Sequence, residues 1–256
     1  MFHDLTKNLR KGAAGRRIEE MIKEEIRNGC RDGVPIALGY FSVSFSFGIM
    51  AMSGGLSIFQ AALTSLTNMT SAGQFAGLQI IVSGGALLEM AVTQLIINLR
   101  YALMSLSLSQ KLSGEVSMWQ RFVIAFANTD EIFAVAMAHK KELTFPYMIG
   151  LQALPILGWT GGTACGAAAG SMLPAAVNSA LSVALYGMFM AVVIPVAKRS
   201  RPVFFTVILA VVMSCVIYYV PAFSGISAGI SIILCTVAAA AAGAVLFPVQ
   251  EEGGND

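Results

Sequence analysis

From Val34 onward the chain consists of long apolar runs that few charges interrupt. A bilayer core about 30 Å thick takes about 20 apolar residues per helix, and on that ruler the body divides into about eight segments. Their approximate spans are 34–53, 58–82, 86–108, 121–138, 145–170, 178–197, 203–220 and 226–248. The expected fold is an all-α integral membrane protein of about eight transmembrane helices, some of them discontinuous. Composition agrees: 12% of the residues are charged and mean hydropathy is +0.74, against about 25% charged in an ordinary soluble domain.

The charges are gathered at one end. Residues 1–33 hold Lys7, Arg10, Lys11, Arg16, Arg17, Lys23, Arg27 and Arg31 with six acids, and form a charged head before a transmembrane domain over 34–250. Within the head Ile18, Met21, Ile22 and Ile26 recur at helical spacing. They predict an amphipathic helix on the cytoplasmic surface or against the bundle; the alternative is a solvated tail that only anchors orientation. With the head cytoplasmic, Lys140 and Lys141 fall on the same side, as do Lys198, Arg199 and Arg201. Lys111 and Arg121 are the exceptions, and the asymmetry predicts both termini in the cytoplasm. One re-entrant segment, the second or the fourth, is the competing count, although it would displace downstream basic loops.

Other classes are disfavoured. A net charge of +2 gives no reason to expect nucleic acid. Of four cysteines, Cys165, Cys215 and Cys235 lie in apolar runs and none makes a CxxC, so neither disulfide nor metal nor other cofactor is expected. The first apolar run starts too late for a signal peptide, which predicts a retained first span. A weak echo pairs PIALGYFSVSFSFG from Pro35 with PILGWTGGTACG from Pro155, and AGQFA from Ala72 with YGMFMA from Tyr186. It points to an internal repeat, or to chance likeness between glycine-rich helices.

Polar groups in hydrocarbon carry the functional signal, because each left unsatisfied costs several kcal/mol. The second segment packs Ser65, Thr67, Asn68, Thr70, Ser71 and Gln74 around Gly73. A broken helix lining a binding cavity is one reading, and hydrogen-bonded glue between helices the other. In the third segment Arg100 must snorkel, pair with an acid such as Asp130 or Glu131, or hold a substrate carboxylate. Glu89, on the same face, is too far along the helix to be its partner. The fourth segment places Asn128, Thr129, Asp130 and Glu131 in mid-run, a helix-start pattern that fits a break at membrane depth or a surface cap. Gly158, Gly162, Gly166 and Gly170 recur every fourth residue in the fifth segment, a face another helix can approach closely.

These residues resemble the AzlC/YgaZ family, the large subunit of bacterial branched-chain amino acid exporters. The likeness covers most of residues 31–200 and rests on GYFSVSFSFG, TSAGQF at 70–75, INLRYALMSLSL at 97–108, NTDE at 128–131, GWTGGTACG and ALYGMFMAVVIP. Tyr101 stands where many relatives have His. The resemblance implies a permease in the bacterial cell (inner) membrane that exports leucine, isoleucine or valine with a small AzlD-type membrane subunit, for which the glycine ladder offers a docking face. It implies substrate contact by Asn68, Ser71, Gly73, Gln74, Asn98 and Arg100, and ammonium binding or proton coupling by Asp130 and Glu131, with Asn128 beside them.

Three functions remain to be separated. Secondary active export, with two parts of the bundle alternating around a mid-membrane site, fits best. An intramembrane enzyme lacks HExxH and GxSxG, and no GxxxxGK[ST] loop supports ATP coupling within this chain. A non-transporting or channel-like subunit would use its polar residues as glue alone, and export of another small metabolite would use the same site for a different cargo.

Overall fold

The computed structural model describes residues 2–170, 190 and 193–248, and side chains from residue 17 onward. Most of the predicted sixth span, with ALYGMF, lies outside them. Among the described residues the fold is helical, with a single isolated β-bridge between Leu112 and Leu143. The elements are α1 (Phe2–Ser53), α2 (Ile58–Thr67), α3 (Ala72–Val82), α4 (Leu87–Lys111), α5 (Met118–Phe126), α6 (Asp130–Ala138), α7 (Phe145–Gly170), α8 (Arg201–Tyr219) and α9 (Ala228–Leu246).

α1 and α7 form the spine of the molecule. They run parallel and in register, so closely that a Cβ added to Gly29 would lie 2.1 Å from the Tyr147 carbonyl, and one on Gly48 would lie 2.1 Å from that of Thr163. The approach is reciprocal: Gly150, Gly158, Gly162 and Gly166 meet the backbone at Ile26, Ala37, Phe41 and Phe45. Small residues at this spacing let two helix backbones touch. The glycine ladder is therefore already filled by α1, which corrects the expectation that a second subunit docks there. α1 also passes unbroken through residue 33, so the charged head and the first span share one helix. At that level Glu25 accepts from Thr144 and Asp32 from the Tyr147 hydroxyl, while Ile18, Met21, Ile22 and Ile26 stay exposed.

The second segment is broken as expected, but it turns back instead of crossing. α2 descends along α7, with Ala61 clustered with Ala167 and Ser65 bonded to Thr163. The chain then turns at 68–71 and α3 rises again: Phe75 packs edge-on against Phe47, and Val82 meets Gly54 at the end of α1. The fourth segment does the same from the opposite face. α5 rises from Ser117, past Arg121 bonded to Ser109, to Asn128 bonded to Ser105 on α4. α6 then returns beside α4, from Asp130 at Arg100 to His139, whose carbonyl accepts from Lys111. Both segments are thus re-entrant hairpins, where one at most was anticipated.

Two reversals, unlike one, leave every later element on its expected side, and they also remove the charge exceptions. Lys111 and Arg121 now share a face with the head, with Lys140 and Lys141 and with the start of α8. We call this the charged face. At the opposite, distal face lie 54–57, 83–86 and 224–227, where Glu89 accepts from the Ser227 hydroxyl and the Gly229 N–H. α9 descends from there beside α8, as Thr206 against Gly243 and Phe205 against Phe247 indicate, so the end of α9 returns to the charged face. Side chains on α4 and α8 such as Leu95, Leu103, Phe204 and Val212 are exposed, as lipid-facing residues are.

The hairpins also reveal an internal repeat other than the echo in the sequence. α1–α2–α3 and α4–α5–α6 have the same plan in opposite directions, a crossing helix followed by a hairpin entering from the face it has reached. Their capping boxes correspond: Ser57 with Gln60, and Ser117 with Gln120 sixty positions on, each bond the first free N–H groups of α2 and α5. Asn68 and Asn128, at the same spacing, mark the two breaks. The Pro35 and Pro155 segments, by contrast, are the parallel partners of the spine.

Candidate functional site

The turns of both hairpins come to the level of Tyr40 and Trp159, whose rings meet edge to face at 5.2 Å. Tyr40 lies eleven residues beyond Gly29 and thirteen before Ser53, which at the helical rise is about 16 and 20 Å and places it near the middle of the crossing. Here a cavity of about 970 Å³ opens between α1, α3, α4, α6 and α9. Aliphatic side chains, among them Ile36, Val43, Ile96 and Ile232, make most of its wall, and Ser71, Arg100, Tyr101, Thr129, Asp130 and Glu131 supply the polar part. An apolar hollow with a few convergent polar groups is the usual form of a small-molecule site.

Arg100 and Asp130 form an ion pair at 2.5 Å, as the sequence predicts, and each side chain remains nearly half exposed to the cavity. The guanidinium also reaches the Tyr101 hydroxyl at 3.1 Å, with its centre 4.8 Å from that ring's centroid. The Tyr40 hydroxyl meets Thr129 Oγ1 at 2.5 Å and donates to the Glu131 carboxylate. Both acids sit in the first turn of α6, where the helix dipole favours negative charge, and Thr129 is its N-cap. α3 starts at the same level from the other hairpin, after Ser71 at φ +37°, a left-handed backbone that a non-glycine residue adopts at a cost of about 1–3 kcal/mol.

Of the residues named from sequence, Ser71, Arg100, Asp130 and Glu131 line this cavity. The others hold the hairpins in shape. Gln74 is fully buried, donates to Ser65 at 2.5 Å and accepts the Trp159 indole N–H at 2.9 Å. Since Ser65 is also bonded to Thr163 at 2.6 Å, this chain ties both arms of the distal hairpin to α7. Asn68 accepts from Thr70 across the turn. Gly73 lets α4 approach, for its carbonyl accepts from Gln94 and an added Cβ would lie 2.7 Å from the Gln94 amide oxygen. Asn98 donates to Gln94 and Asn128 to Ser105, each leaving a buried amide oxygen without a protein partner.

Tyr40, Trp159 and Gln79 belong to the site although the sequence reading gave them no role, and Thr129, read there as part of a helix start, joins them. A tyrosine and a tryptophan in mid-span were the available signal, since these residues ordinarily collect at the membrane interfaces.

Comparison with known proteins bears on the same region. The family described as AzlC protein matches residues 35–173. The chain belongs to the AzlC family. The matched stretch takes in α1 from Pro35, both hairpins and α7, hence every residue of the Arg100, Tyr40 and Gln74 networks. This AzlC-family chain is 34% identical to an uncharacterized membrane protein of Archaeoglobus fulgidus over 176 residues, 67% of this chain and 76% of that one. It is 29% identical over 180 residues to the inner membrane protein YgaZ of Escherichia coli, covering 68% and 74% respectively. No solved structure matches. Membership in the AzlC family and the likeness to YgaZ support a transporter-like role for this multi-pass membrane protein.

Proposed function

We propose that this chain is the permease subunit of a gradient-driven exporter of branched-chain amino acids, working in the bacterial cell (inner) membrane with both termini cytoplasmic and with a small AzlD-type membrane subunit beside it. The observation that carries the reading is the half-exposed Arg100–Asp130 pair in the wall of a mainly apolar cavity near mid-membrane. A zwitterion can divide that pair, its carboxylate taking Arg100 and its ammonium taking Asp130, so that both charges stay compensated throughout. A branched aliphatic side chain then lies against Ile36, Val43 and Ile96. Glu131, held by Tyr40, is the second acid for ammonium binding or for a coupling proton. The charged face, which collects the basic loops, is the cytoplasmic one by the positive-inside rule.

Uptake of labelled leucine, isoleucine and valine into inverted vesicles, with and without a proton gradient and a co-expressed small subunit, tests this reading. Gradient-dependent accumulation is expected. The exporter assignment fails if none of the three accumulates with the small subunit present, and competition by a wider set of metabolites then addresses a different cargo.

A further inference from the structure

A second cavity, of about 500 Å³, lies at the distal face. Ser53, Gly54, Val82, Ser83 and Ala228 line it, and it shares Met50 and Gln79 with the central cavity. Toward the charged face the situation is the reverse. There the larger apolar cluster, including Leu108, Ile124, Ile132, Leu143 and Met148, fills the space with almost fully buried side chains. Among the described residues the central cavity thus continues toward the distal face, where one flexible thioether and one uncharged amide, those of Met50 and Gln79, stand between the two hollows.

The wall of that continuation is loosely attached. α9 supplies Ile232 and Thr236 to the central cavity and Ala228 to the second, yet among the described residues its main packing is on α3, α4 and α8. α8 has no buried residue. Among the described residues a polar tie between this pair and the body is Glu89, which accepts from Ser227 at 2.6 Å and from the Gly229 N–H at 2.8 Å. A carboxylate at the start of a helix also satisfies its dipole.

We propose that solute passes between the central cavity and the distal face through the second cavity, with Met50 and Gln79 as the constriction and Glu89 as a positioning residue that holds α9 against the route. The cargo rests on the exporter reading; the route itself does not. Full-length protein with Cys30, Cys165, Cys215 and Cys235 replaced by serine, in oriented vesicles, is treated with a charged, membrane-impermeant methanethiosulfonate. Gln79→Cys is expected to react from the distal face faster by an order of magnitude than from the charged face, and adding Ala228→Trp should slow it by a similar factor. Glu89→Ala should shift the Gln79→Cys rate severalfold, with Glu89→Gln nearer the parent.

Faster reaction from the charged face overturns the route, as does no reaction in vesicles where Gly55→Cys is modified. An unchanged rate in Glu89→Ala removes Glu89 from it. Leucine is expected to protect Ser71→Cys; distal access without such protection supports the route while the amino acid reading fails.

Discussion

Asn68 and Asn128 hold equivalent places, sixty residues apart, at the turns of two hairpins that enter the membrane from opposite faces. Each polar turn therefore has to reach only to mid-depth, where the other hairpin and the spine surround it. A full crossing would carry the same hydroxyls and amides past lipid, at several kcal/mol for every group left unpaired.

The reversal is directly testable by accessibility. Gly55→Cys and Ser83→Cys should both react with an impermeant thiol reagent from the distal face, and Ser113→Cys from the charged one. Reaction of Ser83→Cys from the charged face is the result a crossing second segment requires, and would discard the hairpin.

Arg100→Gln and Asp130→Asn should each remove most leucine transport while shifting detergent thermal stability little, because a half-exposed pair contributes only about 0–1 kcal/mol to folding. Restored transport in the charge-swapped double variant Arg100→Asp with Asp130→Arg would argue for a structural pair. Persistent inactivity fits direct contact with the zwitterion.

Tyr40→Phe keeps the edge-on contact with Trp159 but leaves the Glu131 carboxylate without its donor and the Thr129 hydroxyl without its partner. A stability loss of about 1–3 kcal/mol is expected. If Glu131 carries a coupling proton, the variant should also displace the pH dependence of transport, read as initial uptake rates across a pH series.

Gly166→Ala should be among the most damaging single-methyl changes, since its Cβ would lie 1.9 Å from the Phe45 carbonyl oxygen. Overpacking of this kind costs about 1–3 kcal/mol or more. Gly161→Ala, on the same helix with nothing within 4 Å, is the control, and should be neutral or stabilising by up to about 1 kcal/mol. Thermal unfolding in detergent compares the two.

Gln74→Leu deletes the link between Ser65 and Trp159 and leaves the indole N–H unpaired in the interior. The expected cost is about 1–3 kcal/mol, with a shift in tryptophan emission because Trp159 is one of two tryptophans. An unchanged spectrum and melting point would show the network to be dispensable.

Much of this was legible in the sequence. Hydropathy set out the helical segments, the density of polar residues at 65–74 and 128–131 marked the breaks, and Arg100 had to find an acid. What hydropathy cannot register is direction: a run of 25 residues reads alike whether it crosses or folds back, and Phe75 against Phe47 with Val82 against Gly54 shows the return. Lys111 and Arg121 carried that information as misfits to the charge asymmetry. Two reversals cancel in any count of sides, so the parity that argued against one hairpin was silent about a pair. Gln74 looked like a ligand contact because an amide at membrane depth is costly wherever it points, and Asn98 because the family resemblance implied it; pairing within the fold satisfies that cost as well as a substrate does.

The seam between α1 and α7 limits what can move. Peptide groups interlocked through glycine notches cannot slip along one another by less than a full turn without collision, so these two rods shift together or not at all. Any cycle that exposes the hollow alternately to each side must therefore be carried by the parts that lean on this keel, the opposed hairpins and the closing helices. A covalent link between α1 and α7 placed outside the glycine notches should then leave turnover intact.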